Sequence, residues 1–200
     1  MIEIHPIEVT GNWSKGFALD LHTISSEFLG YDEYGHEQFD TKRSEIGELL
    51  YRLKYRQDMS VINEIVSVVV NFLRDSWKIS IIIDSILPVP PSNVARKLQP
   101  VMEIAKGISS QLRIPLLTDA LVKTEETPQL KNVYDYEERL KLLNNKFSAS
   151  ASLTAGKNVL LFDDLYRSGA TLSAITSVLF HQGKVKKVYV LSLTKTRSIS

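Results

Sequence analysis

Two adjacent carboxylates, Asp163 and Asp164, end the apolar run Val159–Phe162, and Arg167-Ser168-Gly169-Ala170-Thr171 follows almost at once. Carboxylates accept hydrogen bonds from hydroxyl groups, and a vicinal diol offers two such donors to a pair of acids. The loop after them leads directly into a helical pattern, where unpaired backbone N–H groups and a partial positive charge favour an anion. Gly169 permits close backbone approach, while Ser168 and Thr171 add hydroxyl donors. A ligand with a phosphate at one end and neighbouring hydroxyls beside it satisfies both halves, and a ribose 5-phosphate fits that description. An acid pair alone reads as a turn cap, and SGAT alone as an ordinary helix start. Their junction on one buried strand is what points to a site. A Walker-type nucleotide loop is excluded, because no G-x-x-x-x-G-K-[ST] occurs.

The stretch VLLFDDLYRSGATL, Val159–Leu172, resembles the motif by which type I phosphoribosyltransferases bind phosphoribosyl pyrophosphate (PRPP). The resemblance implies that Asp163 and Asp164 hold the ribose 2′- and 3′-hydroxyls and that Arg167–Thr171 holds the 5′-phosphate. Arg167 departs from the pattern, standing where the family usually has Thr. A wider resemblance runs from about Leu50 to Arg197. There LLYRLKYRQD, ILPVPPS, LVKTEETPQL, ERLKLLNNKF and VYVLSLTKTR are similar in order to the ComF-like, competence-associated branch. That branch often carries an N-terminal zinc-binding cysteine cluster, which this chain lacks.

The resemblance implies an α/β type I phosphoribosyltransferase fold: a mostly parallel central sheet flanked by helices, with an N-terminal hood or extension. It further implies Mg²⁺ carried mainly by PRPP oxygens and water, with no direct protein ligand. In the family a second loop receives the pyrophosphate. Pro91, Ser92 and Asn93, followed by Arg96 and Lys97, occupy that place. An ordinary strand end with a basic helix start accounts for the same residues. Lys123–Phe147 corresponds to the loop that closes over PRPP, with Lys123, Thr124 and Arg139 as candidates for pyrophosphate or acceptor contact. Lys54 and Arg56 are candidates to help form an anion site, although amphipathic helix ends commonly carry such charges. Trp13, Phe17, Tyr31, Tyr34 and Phe39 read as the core of a hood.

These residues need elements to position them. Strands are expected at Met1–Val9, Phe17–Ile24, Ile79–Val89, Leu116–Val122, Asn158–Phe162 and Lys187–Thr194, from alternation or β-branched runs. Helical spacing predicts one helix after Thr41, read as its cap, and others at about Met59–Trp77, Ala95–Leu112, Glu137–Asn145 and Ala170–Gln182. Tyr31–Asp40 suits a turn, and Lys123–Tyr136 an extended loop. Strands alternating with helices indicate parallel crossovers. Residues 1–40 are read as the hood and 41–200 as the core of a single domain.

Composition narrows the partners. A net charge of +1 over 200 residues gives no general attraction to nucleic acid or acidic lipid, so direct nucleic-acid binding is not expected. The absence of cysteine excludes a disulfide framework, a zinc ribbon and a thiol nucleophile. His5, His22, His36 and His181 lack metal-ligand spacing. No apolar run reaches the ~20 residues of a membrane helix and no signal-peptide pattern opens the chain, so a cytoplasmic protein is expected. The reading is therefore transfer of 5-phosphoribosyl from PRPP to a nitrogen acceptor with release of pyrophosphate. The alternatives are a non-catalytic PRPP- or nucleotide-sensing regulator, or a ComF-like protein associated with DNA uptake or processing. The oligomeric state is open, a homo-oligomer included.

Overall fold

The computed structural model describes residues 2–91, 98–124, 142, 143 and 145–197. Its centre is a five-stranded sheet built from β1 (Ile7–Glu8), β2 (Lys15–Leu21), β9 (Lys187–Lys195), β8 (Asn158–Tyr166) and β5 (Ser85–Pro88), in that spatial order. The pairs β2–β9, β9–β8 and β8–β5 are parallel, and the short β1 pairs antiparallel to β2 at one edge. This is the mostly parallel α/β sheet expected from the alternating pattern.

Both faces of β8 are apolar because helices cover both. On one side Leu160 and Phe162 pack with α1 (Glu45–Tyr55), α2 (Ile62–Asn71) and α3 (Pro100–Leu112). On the other Val159 and Leu161 meet Leu172, Ile175 and Leu179 of α4 (Ala170–His181). Successive side chains alternate across a strand. Asp163 therefore falls on the α4 side and Asp164 on the side of α1–α3.

Several elements differ from expectation. Ile79–Val89 forms a strand only at Ser85–Pro88, because Lys78 adopts a left-handed φ of 58° and a turn through Ile81 and Ile82 follows. Ile81 is 88% exposed, so that isoleucine run is not one buried strand. Pro88 closes β5, whose edge position tolerates a residue without an N–H. Met1–Val9 contributes only Ile7–Glu8, and Phe17–Ile24 divides at His22. The stretch expected to turn is a hairpin, β3 (Thr23–Tyr31) with β4 (Glu37–Arg43), and only its tip turns. Leu116–Val122 is reduced to β6 (Leu121–Lys123), paired with β7 (Phe147–Ala149), while Leu116 makes one parallel bridge to Ile86. The first helix is capped by Ser44, not Thr41. Helix α3 begins at Pro100, whose fixed φ suits the first turn. Most of Lys123–Tyr136 and of Glu137–Asn145 lies outside the described residues.

The aromatic residues near the N-terminus do not form one hood core. Trp13 is buried, donating from Nε1 to the Val9 carbonyl, and Phe17 packs edge-on against Phe72 and Trp77. Tyr31, Tyr34 and Phe39 stay exposed on the hairpin.

Candidate functional site

Strand β8 runs two turns of the pleat past its apolar core and so carries both acids to the C-terminal edge of the sheet. In open α/β sheets that edge holds the ligand crevice. A cleft of about 300 Å³ opens there. Asp163, Asp164 and Thr171 form one wall, Pro90 and Pro91 with the start of α3 another, and Lys54 a third.

The two carboxylates have different surroundings. The Asp164 Oδ2 atom lies 2.8 Å from Lys54 Nζ, and both side chains are largely withdrawn from water, 14% and 16% exposed. The Asp163 Oδ1 atom accepts the backbone N–H of Asp164 at 2.8 Å. Asp163 is partly buried and lines the cleft. This burial, reinforced by the adjacent Asp164 charge, pushes the Asp163 carboxyl up to about 7, against smaller opposing effects of the Asp164 N–H and Lys54. Two neighbouring carboxylates thus avoid double ionisation: Asp164 faces an ammonium and Asp163 retains a proton more readily.

The loop after β8 turns at Gly169, which adopts φ 77° as the residue preceding α4. A Cβ there would lie 2.7 Å from the Tyr166 hydroxyl, so both the conformation and the space select glycine. Ala170 and Gly169 are buried, Thr171 borders the cleft and Arg167 is exposed. The Ala170 N–H approaches Ser168 Oγ at 3.4 Å, a long contact. The other N–H groups of the first turn of α4 have no partner within the helix, as at any helix start.

A cationic border surrounds the acids. His22, half-buried at the end of β2, is held below the usual histidine range first by burial and then by the charges of Lys54 and Arg43, with a smaller push from Arg167. The Thr194 hydroxyl bridges the His22 ring at 3.3 Å and the Asp164 carbonyl at 3.2 Å. The Arg43 guanidinium lies 3.8 Å from the Tyr51 ring centroid, so β4 and α1 meet there.

The structure brings Asp163, Asp164, Thr171 and Pro91 around one cleft. Lys123 and Thr124 end the β6 ribbon, where Thr124 Oγ1 donates to the Asn145 carbonyl, and neither lines the cleft. Ser92, Asn93, Arg96, Lys97 and Arg139 lie outside the described residues. Sequence reasoning weighs Lys54 only as part of an anion site or as a helix-end charge, not as the partner of Asp164 that it is. The signal was faint: a lysine directly after the buried Leu53 in a helix whose apolar stripe faces the sheet. Among the described residues no group of three or more His, Asp or Glu comes together as a metal site.

No protein-family model matches the chain, and no curated protein matches it by sequence. Solved structures are similar in fold. The glutamine PRPP amidotransferase from B. subtilis, complexed with ADP and GMP, superposes with a TM-score of 0.50 at 18% identity, over 81% of this chain and 34% of that one. This chain therefore spans about a third of the amidotransferase. Adenine phosphoribosyltransferase from Saccharomyces cerevisiae, complexed with an imino-altritol bisphosphate and adenine, gives a TM-score of 0.47 at 11% identity, covering 85% of each chain. The architecture is that of the type I phosphoribosyltransferase fold: an α/β domain with a mostly parallel sheet between helices.

Proposed function

We propose that the cleft binds PRPP and that the chain transfers its 5-phosphoribosyl group to a nitrogen acceptor. In that step the bond from ribose C1 to the pyrophosphate oxygen breaks and a C1–N bond forms. Pyrophosphate leaves with the electron pair, and the acceptor's proton passes to solvent. One observation carries this reading: the acid pair at the C-terminal end of a central strand and Thr171 in the first turn of α4, just past the Gly169 turn, line one cleft. The fold shared with the amidotransferase supports it at the level of scaffold, and fold alone does not fix activity.

In this reading the ribose hydroxyls donate to Asp163 and Asp164, and the 5′-phosphate meets the N–H groups and hydroxyls of Arg167–Thr171. The pyrophosphate end lies toward Pro90, Pro91 and the start of α3. Fixed donors around the leaving group stabilise the charge that develops there without reorganisation. The donor set suits Mg²⁺ that arrives on PRPP, because Asp164 is already engaged by Lys54 and Asp163 holds a proton readily. When bound, that ion would neutralise charge on the departing pyrophosphate.

The test has two parts. Calorimetric titration of PRPP with Mg²⁺ should show binding to the native protein and at least about a hundredfold loss in Asp163→Asn/Asp164→Asn, since two charge-assisted hydrogen-bonding sites are weakened. Undiminished binding in the double variant would sink the site assignment. Pyrophosphate release with a panel of bases, amines and ammonia should then identify the acceptor. Binding without turnover on any acceptor would instead favour a PRPP-sensing regulator. The ComF-like resemblance suggests a link with DNA uptake, and salt-sensitive DNA binding indifferent to PRPP would be its signature.

A further inference from the structure

Lys54 occupies the last turn of α1, where a cation is ordinarily solvated and steadied by the helix C-terminus. Here its side chain is instead largely withdrawn from water and lines the cleft, its ammonium meeting Asp164. Withdrawing a lysine from water sacrifices hydration and side-chain freedom, and a buried ion pair seldom recovers more than that. The pair with Asp164 is thus poorly explained as a contribution to stability. Its consequence at the site is more specific, because Asp164 adjoins Asp163 and both border the same cleft.

We propose that Lys54 is a positioning residue of the phosphoribosyl site, whose ammonium, 2.8 Å from Asp164 Oδ2, holds that carboxylate aimed at the cleft as a fixed acceptor for a ribose hydroxyl. The inference rests on the PRPP reading and deepens it. Asp164 is paired with Lys54, while burial pushes Asp163 up to about 7, so the two acids offer a diol unlike partners. A vicinal diol then meets two distinct partners instead of two mutually repelling carboxylates. Lys54 is also the point at which α1 touches this chemistry. Its starting position is set by Ser44, which caps the helix and donates to the Leu21 carbonyl, and by Gly47, where a Cβ would lie 2.5 Å from the His22 carbonyl oxygen. Nearby, His22 at the end of β2 feels the charges of Lys54, Arg43 from β4, Asp164 and Arg167 from the loop after β8. Burial lowers the His22 pKa, and Lys54 is the cation in direct contact with the pair.

The experiment reads Lys54 both with and without ligand. Carboxyl-carbon NMR titration of the unliganded protein should show the acid pair's midpoint rising by about one unit or more in Lys54→Met, as loss of an adjacent cation requires. Lys54→Arg should leave it near the native value. In PRPP titrations Lys54→Met should weaken binding about tenfold at pH 7. In an Asp164→Asn background the same substitution should change affinity by less than about threefold, because its target is gone.

An unmoved midpoint in folded Lys54→Met, or an equal affinity loss in both backgrounds, would overturn the proposal. Lys54→Arg, which keeps the charge, guards against a folding artefact. Failure of PRPP to bind the native protein, with the midpoint still displaced in Lys54→Met, would instead count against the PRPP reading. The two failures are therefore distinguishable.

Discussion

At the scale of single residues, Asp163 links function to stability. An unfolded Asp titrates near 3.8, and burial beside Asp164 pushes the folded carboxyl up to about 7. The folded protein therefore holds this proton more tightly than the unfolded chain. The resulting stability is fully present below the unfolded value and is lost as pH rises through the folded one. Native protein should accordingly lose thermal stability between about pH 4 and 7 by an amount that Asp163→Asn does not lose. At pH 8 the Asn variant should melt at or above the native temperature while binding PRPP more weakly. A melting-temperature series across pH for the two proteins checks this. An Asn variant less stable than native at pH 8 would contradict it. Such a pattern is expected of groups kept at a site for chemistry at the expense of stability.

At the scale of elements, α1 is the part whose placement matters most. Ser44 accepts the Gly47 N–H at 3.1 Å and donates to the Leu21 carbonyl, joining the helix start to the end of β2. Ser44→Ala removes the cap and leaves a carbonyl short of a partner, so it should cost about 1–2 kcal/mol in chemical denaturation. Because Lys54 rides on the same helix, the substitution should also weaken PRPP binding, a coupling that a calorimetric titration would show. Much of this arrangement was legible from the chain. The alternation of strands and helices, the β8–turn–α4 unit and the helical stripe of α1 all follow local periodicity, which short-range sterics and burial dictate. The misread elements share a physical cause. The isoleucines at 79–83 carry strong β-propensity, yet strand formation needs a neighbour. The chain there is still turning out of the preceding helix. The residues Tyr31–Asp40 are polar enough for a loop but pair with their own neighbours across a hairpin, a choice made by hydrogen bonding between strands rather than by composition.

At the scale of the whole molecule, a sheet covered on both faces stands beside a hairpin with little support. Phe162 is fully buried immediately before the acid pair, so Phe162→Ala should cost about 3–5 kcal/mol. On β3, Phe28 is 52% exposed within an aromatic group that includes Tyr31 and Phe39. Phe28→Ser there should change stability by no more than about 1 kcal/mol, since exposed positions rarely move it further. Paired denaturant curves for the two variants test that contrast. Equal losses would mean that the hairpin belongs to the main cooperative unit.

The acid pair and the loop of Val159–Thr171 were determined by sequence alone, because their chemistry depends on residues only a few positions apart on one strand and one turn. The parallel α/β class was determined in the same way, from periodicities that repeat along the chain. Tertiary structure alone decided that Lys54, more than a hundred positions earlier, closes on Asp164. It also decided that Asp163 is enclosed enough to hold a proton near neutrality. Both depend on burial and distance between segments remote in the chain, quantities that no local pattern encodes. The two carboxylates that the sequence presented as equivalent are, in the folded protein, one paired with Lys54 and one pushed up toward neutrality by burial.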